Sequence, residues 1–193
     1  MKIKAIILSL AVGATLLVGC GAKEEVKTEP AKTEATKPAA TEPAKTDVVT
    51  TASLVNTEAA FENGISSKGT WIIATLKDLT FDKDIVVEGE FKNGKKDDAG
   101  KELIQRKIGL YTQDADRKVT ARFTLTAPKL TFKSPMGSIE HGIFKGDLYI
   151  SASNFQLKDA TVDGNVYFTT DEAKSTFKMD DKSKVTGVQE VKK

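Results

Sequence analysis

A short pattern repeats at a fixed interval in the second half of the chain. Residues 146–150 read Gly-Asp-Leu-Tyr-Ile, and eighteen positions later residues 164–168 read Gly-Asn-Val-Tyr-Phe. Stepping back by the same interval leads to Pro128, Gly187 marks the next unit 23 residues after Gly164, and apolar residues keep their distances from these marks. The matched sets are Leu130, Leu148 and Val166; Phe132, Ile150 and Phe168; Phe144, Val162 and Val185; and Ile139 with Leu157. Such a repeat indicates similar units stacked on one another.

The length of the repeat favours strands over helices. Eighteen residues are too few for a strand–helix–strand crossover, which takes about 30. Apolar residues also alternate at many places in the chain, which is the pattern of a strand. We therefore predict an all-β fold, a short parallel β-helix, in which each strand pairs with its copy one turn later. The bends fall at Gly146-Asp147 and Gly164-Asn165.

An antiparallel sandwich or barrel is the alternative for the same alternation. It would place two-residue hairpin turns at Asn93-Gly94 and Asp163-Gly164.

The ends of the repeat need protection, because an end turn exposes its core and its unpaired strand edge. The segment Asn56–Ile65 predicts a helix that caps the N-terminal end, with Asn56 as its N-cap. No second helix is expected. The last repeat is 23 residues long, and five extra residues near Thr170–Lys174 are expected to form a loop. The charged segment 185–193 would finish the other end.

The first residues have the features of an export signal. Lys2 and Lys4 precede an apolar run over residues 5–19, which is shorter than the roughly 18 or more residues that a spanning helix needs. The run ends Leu-Val-Gly-Cys and resembles the bacterial lipobox, which implies cleavage before Cys20 and attachment of a diacylglycerol to its sulfur. An ordinary signal peptide with an incidental cysteine is the alternative. Cys20 is the single cysteine, so an intramolecular disulfide is excluded.

The next segment predicts a tether. Residues 20–47 contain almost no large apolar residue, three prolines, and the hexamer Thr-Glu-Pro-Ala-Lys-Thr twice, at 28–33 and 41–46. Such a composition cannot offset its ordering entropy and is typical of a disordered linker, with a reach of about 30 Å. The predicted organisation is a signal peptide over 1–19, a lipidated cysteine and linker over 20–47, and a β-helix domain over 48–193.

Two resemblances rest on quoted stretches. The lipobox and the linker, together with "GTWIIATLKDLTFDKDIVVEGEF", "RKIGLYTQD", "FTLTAPKLT" and the glycine-marked repeats, resemble a group of clostridial lipoproteins. The repeats over about residues 128–191 also resemble the polymer-forming, bactofilin-like β-helix family, whose members assemble end to end into filaments. The N-terminal helix, the irregular first half and the lipid anchor depart from that family.

The sequence offers little for catalysis. The 29 basic and 27 acidic residues are nearly balanced, so no basic face is predicted for nucleic acid. His141 is the single histidine, which excludes a metal site of two histidines, and it is expected to be a solvated loop residue. The acidic pairs at 97–98, 114–116 and 180–181 are expected to be solvated turns. No cofactor and no metal is predicted.

A binding surface is a more specific hypothesis than a catalytic site. Tyr149 and Tyr167 each lie between two inward residues, so both should point outward and stack between neighbouring turns, about 4.8 Å apart. Asp147 and Asn165 would flank them. Flat aromatic faces suit sugar rings or an apolar patch of a partner. The alternative is an ordinary cross-strand tyrosine pair.

The predicted function is that of a non-catalytic lipoprotein on the extracytoplasmic face of a bacterial membrane. Its β-helix would engage cell-wall polysaccharide, a surface protein or further copies of itself. An enzyme acting on extracellular polysaccharide is the alternative. That alternative requires at least two of Glu140, Lys145, Asp147 and Asp163 to converge in a groove.

Overall fold

The computed structural model describes residues 52–192, and strands dominate this part of the chain. The predicted signal peptide, Cys20 and the linker lie outside the described residues. No helix within residues 52–192 is long and apolar enough to cross a membrane. In chain order the elements are β1 (Ala52–Val55), α1 (Glu58–Ile65), β2 (Ile72–Thr75), β3 (Leu79–Thr80), β4 (Ile85–Val87), β5 (Lys92–Lys96), β6 (Glu102–Ile104), β7 (Arg106–Gly109), β8 (Tyr111–Gln113), β9 (Val119–Arg122), β10 (Thr124–Phe132), β11 (Gly137–Glu140), β12 (Ile143–Ile150), β13 (Gln156–Lys158), β14 (Thr161–Asp163), β15 (Val166–Phe168), α2 (Asp171–Ser175), β16 (Lys178–Met179), β17 (Lys184–Val185) and β18 (Gln189–Val191).

The first sheet has six strands in the order β1-β2-β7-β11-β13-β16, and every neighbouring pair is parallel. One row of side chains runs across it toward the core. Ile73, Ile108, Ile139 and Leu157 are successive ladder partners, and all four are buried. Because parallel strands stack without offset, one apolar position in the sequence becomes a continuous apolar column in the structure.

The second sheet is built on the long strands β10 and β12, which pair with each other in parallel. The shorter strands β3 and β4 both pair with β10, whereas β14 and β15 both pair with β12. The predicted columns are confirmed by the register: Leu130, Leu148 and Val166; Phe132, Ile150 and Phe168; Phe144, Val162 and Val185. These strands run in the same direction, so the antiparallel alternative is wrong for them.

Antiparallel pairing occurs in two hairpins, β5–β6 and β8–β9. The turn that the antiparallel alternative would place at Asn93-Gly94 does not form, because these residues lie within β5 and the turn falls at 97–100. Asp97 accepts backbone hydrogen bonds there from Ala99 and Lys101, as Asp114 does from Lys118 in the other hairpin. These acidic residues therefore close turns, as expected.

The bends of the chain also recur at the eighteen-residue interval. Gly146 and Gly164 have φ values of 133° and 156°, and a Cβ on Gly146 would lie 1.9 Å from the carbonyl oxygen of Ala127. These bends therefore need glycine. A second class of bend uses the left-handed conformation in residues with side chains, namely Met136 with Asn154 and His141 with Asp159.

The N-terminal helix begins one residue later than predicted. It begins at Glu58, and its N-cap is Thr57 rather than Asn56. The side-chain oxygen of Thr57 accepts a hydrogen bond from the backbone N–H of Ala60 at 3.2 Å. Threonine and asparagine both cap helices well, so the sequence alone did not separate these adjacent positions. The helix buries Phe61, Gly64 and Ile65 against the core.

The C-terminal part differs from expectation at one place. Instead of a loop near Thr170–Lys174, and against the expectation of no second helix, the chain forms the short helix α2 over Asp171–Ser175. Its N-cap is Thr170, whose hydroxyl oxygen accepts from the N–H of Ala173 at 3.0 Å. The charged segment 185–193 lies at the outer edge of the second sheet, where β17 pairs in parallel with β14 and β18 with β15. Phe177, Val185 and Val191 pack against the core.

Candidate functional site

The two tyrosines named by the sequence are ladder partners on β12 and β15. Their ring centroids lie 4.9 Å apart, with an angle of 43° between the ring planes. Thr131 occupies the same row on β10. The expected stacking is present, but the pair is not an open aromatic surface, since Tyr167 retains 9% of its exposure.

Lysine side chains cover the tyrosine pair. The Lys192 ammonium lies 4.3 Å from the centroid of Tyr167 and 5.7 Å from that of Tyr149. Lys129 approaches Tyr149 at 5.6 Å and forms an ion pair of 2.5 Å with Asp84. A hydrogen bond to Tyr149 raises the pKa of Lys192, and one to Asp84 raises the pKa of Lys129. A ligand that stacks on Tyr167 must therefore displace Lys192.

The two polar residues predicted beside the tyrosines hold the bends together. Asn165 donates from Nδ2 to the Asp147 carboxylate at 2.9 Å, and its backbone N–H lies 3.3 Å from the same oxygen. Asn165 Oδ1 accepts from the backbone N–H of Val188 at 3.0 Å. Asp147 and Asn165 thus link three successive passes of the chain, and these hydrogen-bonding groups are already occupied.

The residues of the enzymatic alternative are distributed over both sheets. Glu140 lies on the outer side of the first sheet, nearly buried, with Lys107 Nζ at 2.7 Å, Lys158 Nζ at 3.4 Å and the Ser138 hydroxyl at 3.1 Å. Lys145 and Asp163 are exposed ladder neighbours on the second sheet.

Asp163 also has a partner of its own, since its carboxylate accepts from the hydroxyl of Thr186 at 3.2 Å. The structure therefore brings Lys145 beside Asp163 and Asp147 beside Asn165. It leaves Glu140 on a different sheet. Within residues 52–192, no three acidic, histidine or cysteine side chains form a group suited to a metal ion.

His141 is not the solvated loop residue that the sequence suggested. It is half-buried, its ring lies edge-on to Tyr111 at 4.5 Å, and its Nδ1 lies 3.1 Å from Asp159 Oδ2. The same carboxylate oxygen accepts from Arg122 at 2.5 Å. Hydrogen bonding to Arg122 holds the pKa of Asp159 below its ordinary value, and burial raises the pKa of Tyr111. The sequence around His141 gives no sign of these contacts, because Tyr111, Arg122 and Asp159 are far from one another along the chain.

A further surface feature is an apolar groove of about 320 Å³ beside the edge strand β1, here called the Leu54 groove. Its floor is made by Leu54, Ile72 and Ala74, which point away from the core. Leu76 and the first hairpin residues of β8, Tyr111 to Gln113, form its sides. No pattern in the sequence indicates this groove, because the outward side of β1 and β2 is known only once their register is known.

Comparison with protein-family models, with curated proteins and with solved structures finds no match to this chain.

Proposed function

We propose that the domain is a short parallel β-helix, capped by α1, that acts as a non-catalytic scaffold for binding at the extracytoplasmic face of a bacterial membrane. The observation that carries this proposal is the continuous parallel register. Leu130, Leu148 and Val166 follow one another across adjacent strands, and the same holds for the columns of Ile150 and of Val162. A stack of this kind has a dry interior and a rigid outer face, which suits recognition of an extended partner.

The arrangement of charged groups favours a scaffold over an enzyme. Glu140 is neutralised by Lys107 and Lys158, and Asp147 is held by Asn165. A hydrolase of polysaccharide needs two carboxyl groups facing one another across a bound sugar. Among the residues proposed for that role, the carboxylates instead contact basic or neutral partners within the fold.

The anchor belongs to the same proposal. Cleavage before Cys20 and attachment of a diacylglycerol would place the domain on a flexible tether at the membrane surface. Mass spectrometry of the protein isolated from bacterial membranes tests this directly. A mature N-terminus at Cys20 with the mass of the lipid supports the anchor, and a free thiol contradicts it.

The tyrosine pair on the second sheet is the proposed contact for a cell-wall polysaccharide or a surface protein. In this proposal a partner displaces the flexible side chain of Lys192, which exposes the faces of Tyr149 and Tyr167. Co-sedimentation of the purified protein with cell-wall sacculi tests the polysaccharide. Tyr149→Ala should reduce pelleting, whereas Tyr111→Ala, on the first-sheet side, should leave it unchanged.

The same experiment separates the remaining possibilities. Pelleting without sacculi indicates self-association, and no pelleting in either case leaves a surface protein as the partner. Release of soluble sugar fragments from the sacculi would contradict the non-catalytic assignment.

A further inference from the structure

The outer side of the first sheet changes character along its six strands. From β7 to β16 the outward positions carry mainly charged and polar residues, namely Lys107, Ser138, Glu140, Gln156, Lys158 and Lys178. In β1 and β2 the outward positions are Leu54, Ile72 and Ala74 instead. The core lies on the other side of the sheet, where Val55 and Ile73 are buried, so this apolar end does not belong to the core. An exposed apolar surface beside an unpaired edge strand is a candidate interaction site.

The apolar end is also concave and accessible. Leu54 exposes 64% of its surface and Leu76 exposes 42%, and both border the Leu54 groove. Tyr111 and Gln113 extend from the β8–β9 hairpin and form one side of it. Tyrosine next to leucine and isoleucine suits the boundary between acyl chains and headgroups, because its ring is apolar and its hydroxyl is polar.

The position of the chain before β1 indicates what occupies the groove. Residue 52 starts the strand that carries Leu54, and residues 21–51 separate that strand from Cys20. The composition of this segment predicts a disordered linker, and a chain of that length would span about 30 Å on average. Of the described strands, β1, which carries Leu54 in the groove floor, is therefore the nearest in sequence to the proposed anchor. A tether of this length raises the effective concentration of the membrane at the groove, so a modest apolar contact is enough for binding.

We propose that the Leu54 groove docks on the lipid bilayer that holds the anchor at Cys20, an inference that rests on the proposed function. Leu54 and Leu76 then enter the boundary region of the bilayer, and Tyr111 lies at headgroup level. The contact fixes the orientation of the domain on the membrane. The tyrosine pair at 149 and 167 lies on the second sheet and is not part of this contact.

Trp71 makes the contact measurable, because it is the single tryptophan and immediately precedes Ile72 in the groove floor. The full lipidated protein is reconstituted into vesicles of phosphatidylcholine and phosphatidylglycerol that contain doxyl-labelled phospholipid. Quenching of Trp71 fluorescence is expected for the native protein. Leu54→Asp should reduce that quenching to roughly half or less, since it places a charge in the contact.

Val188→Asp is the matched control. Val188 is also an exposed apolar residue, with 51% of its surface accessible, but it precedes the last strand, β18. It should leave the quenching unchanged. Circular dichroism of both variants confirms that they fold, as expected for substitutions at exposed positions.

Three results would overturn the inference. Equal loss of quenching in both variants shows that the groove is not the contact. Absence of quenching in a protein that does carry the lipid on Cys20 rejects docking while leaving the anchor intact. A groove-dependent dimer in sedimentation experiments, with no quenching, assigns the groove to a second copy. A protein without lipid on Cys20 contradicts the proposed function itself.

Discussion

His141 Nδ1 lies 3.1 Å from Asp159 Oδ2, and the two residues occupy equivalent left-handed bends in successive passes of the chain. Asp159 also accepts from Arg122 at the end of β9, and the His141 ring contacts Tyr111 at the start of β8. One pair of repeated bends thus holds both strands of the inserted β8–β9 hairpin. The hairpin is positioned by side chains as well as by its own backbone pairing.

The Arg122–Asp159 contact predicts a dependence of stability on pH. Arg122 holds the pKa of Asp159 below its ordinary 3.8. Because the pKa is lowered on folding, the stabilisation is present above the ordinary value and is lost as the pH falls through the lower, folded value. Arg122→Gln should therefore lower the free energy of unfolding near neutral pH, and the difference from the native protein should shrink below about pH 4.

Urea unfolding at a series of pH values measures this difference. Arg117→Gln is the control, because Arg117 is exposed in the turn of the same hairpin. A difference between native protein and Arg122→Gln that stays constant down to the lowest pH would contradict the assignment to Asp159.

The apolar columns predict that a cavity within one of them strongly lowers the free energy of unfolding. Leu148 is fully buried between Leu130 and Val166, so Leu148→Ala should lower the free energy of unfolding by about 2–5 kcal/mol. Lys145→Ala on the same strand is exposed and should change it by about 0.5 kcal/mol or less. Similar values for both in chemical denaturation would show that the column is not the core.

The bend at Gly146 predicts that alanine destabilises the fold more at this position than at Gly94, another glycine of positive φ. A Cβ at Gly146 would collide with the Ala127 carbonyl oxygen, whereas a Cβ at Gly94 would meet no atom within 4 Å. Gly146→Ala should destabilise the fold by clearly more than Gly94→Ala, which carries only the backbone strain of about 1–2 kcal/mol. Thermal unfolding of the two variants tests it, and equal midpoints would argue against close stacking at the bend.

The contacts of Arg106 predict that the free energy of unfolding depends on the shape of the side chain at this position. It is buried beneath α1, where its guanidinium donates to the carbonyl oxygens of Gly64 and Ser66 at 2.9 and 2.8 Å and also to that of Thr70. It stacks on Phe91 at 4.3 Å. Burial lowers its pKa to about 10, which leaves it charged at neutral pH.

Arg106→Lys should therefore cost about 2 kcal/mol or more, because one ammonium cannot serve three carbonyls in this geometry. Arg117→Lys, at an exposed turn, is the control and should be within about 0.5 kcal/mol of the native protein. An Arg106→Lys protein as stable as the control would show that charge alone is needed at this position.

The repeat predicted the central part of the fold because parallel stacking places residues of equal spacing opposite one another. Leu148 and Val166 were assigned to one column from spacing alone, and their strands are paired in that register. The cap of α1 was misplaced by one residue, since Asn56 and Thr57 have similar capping ability. Helix α2 was missed because an insertion interrupts the repeat and carries no period of its own.

The candidate sites were harder to predict, since they depend on neighbours distant in sequence. Spacing placed Tyr149 beside Tyr167, but it gave no sign that Lys192 lies over both rings. His141 was expected in water, and its contacts with Asp159 and Tyr111 arise from three separate passes of the chain.

The sequence by itself determined which side chains of the repeated part share the core, because an eighteen-residue period aligns equivalent positions when strands stack in parallel. It also determined where glycine had to stand at the bends. Only the tertiary structure decided how the insertions pack and which outward residues meet. Those contacts join residues with no common period, so nothing in local spacing specifies that Leu54 and Tyr111 border one groove or that Arg122 contacts Asp159.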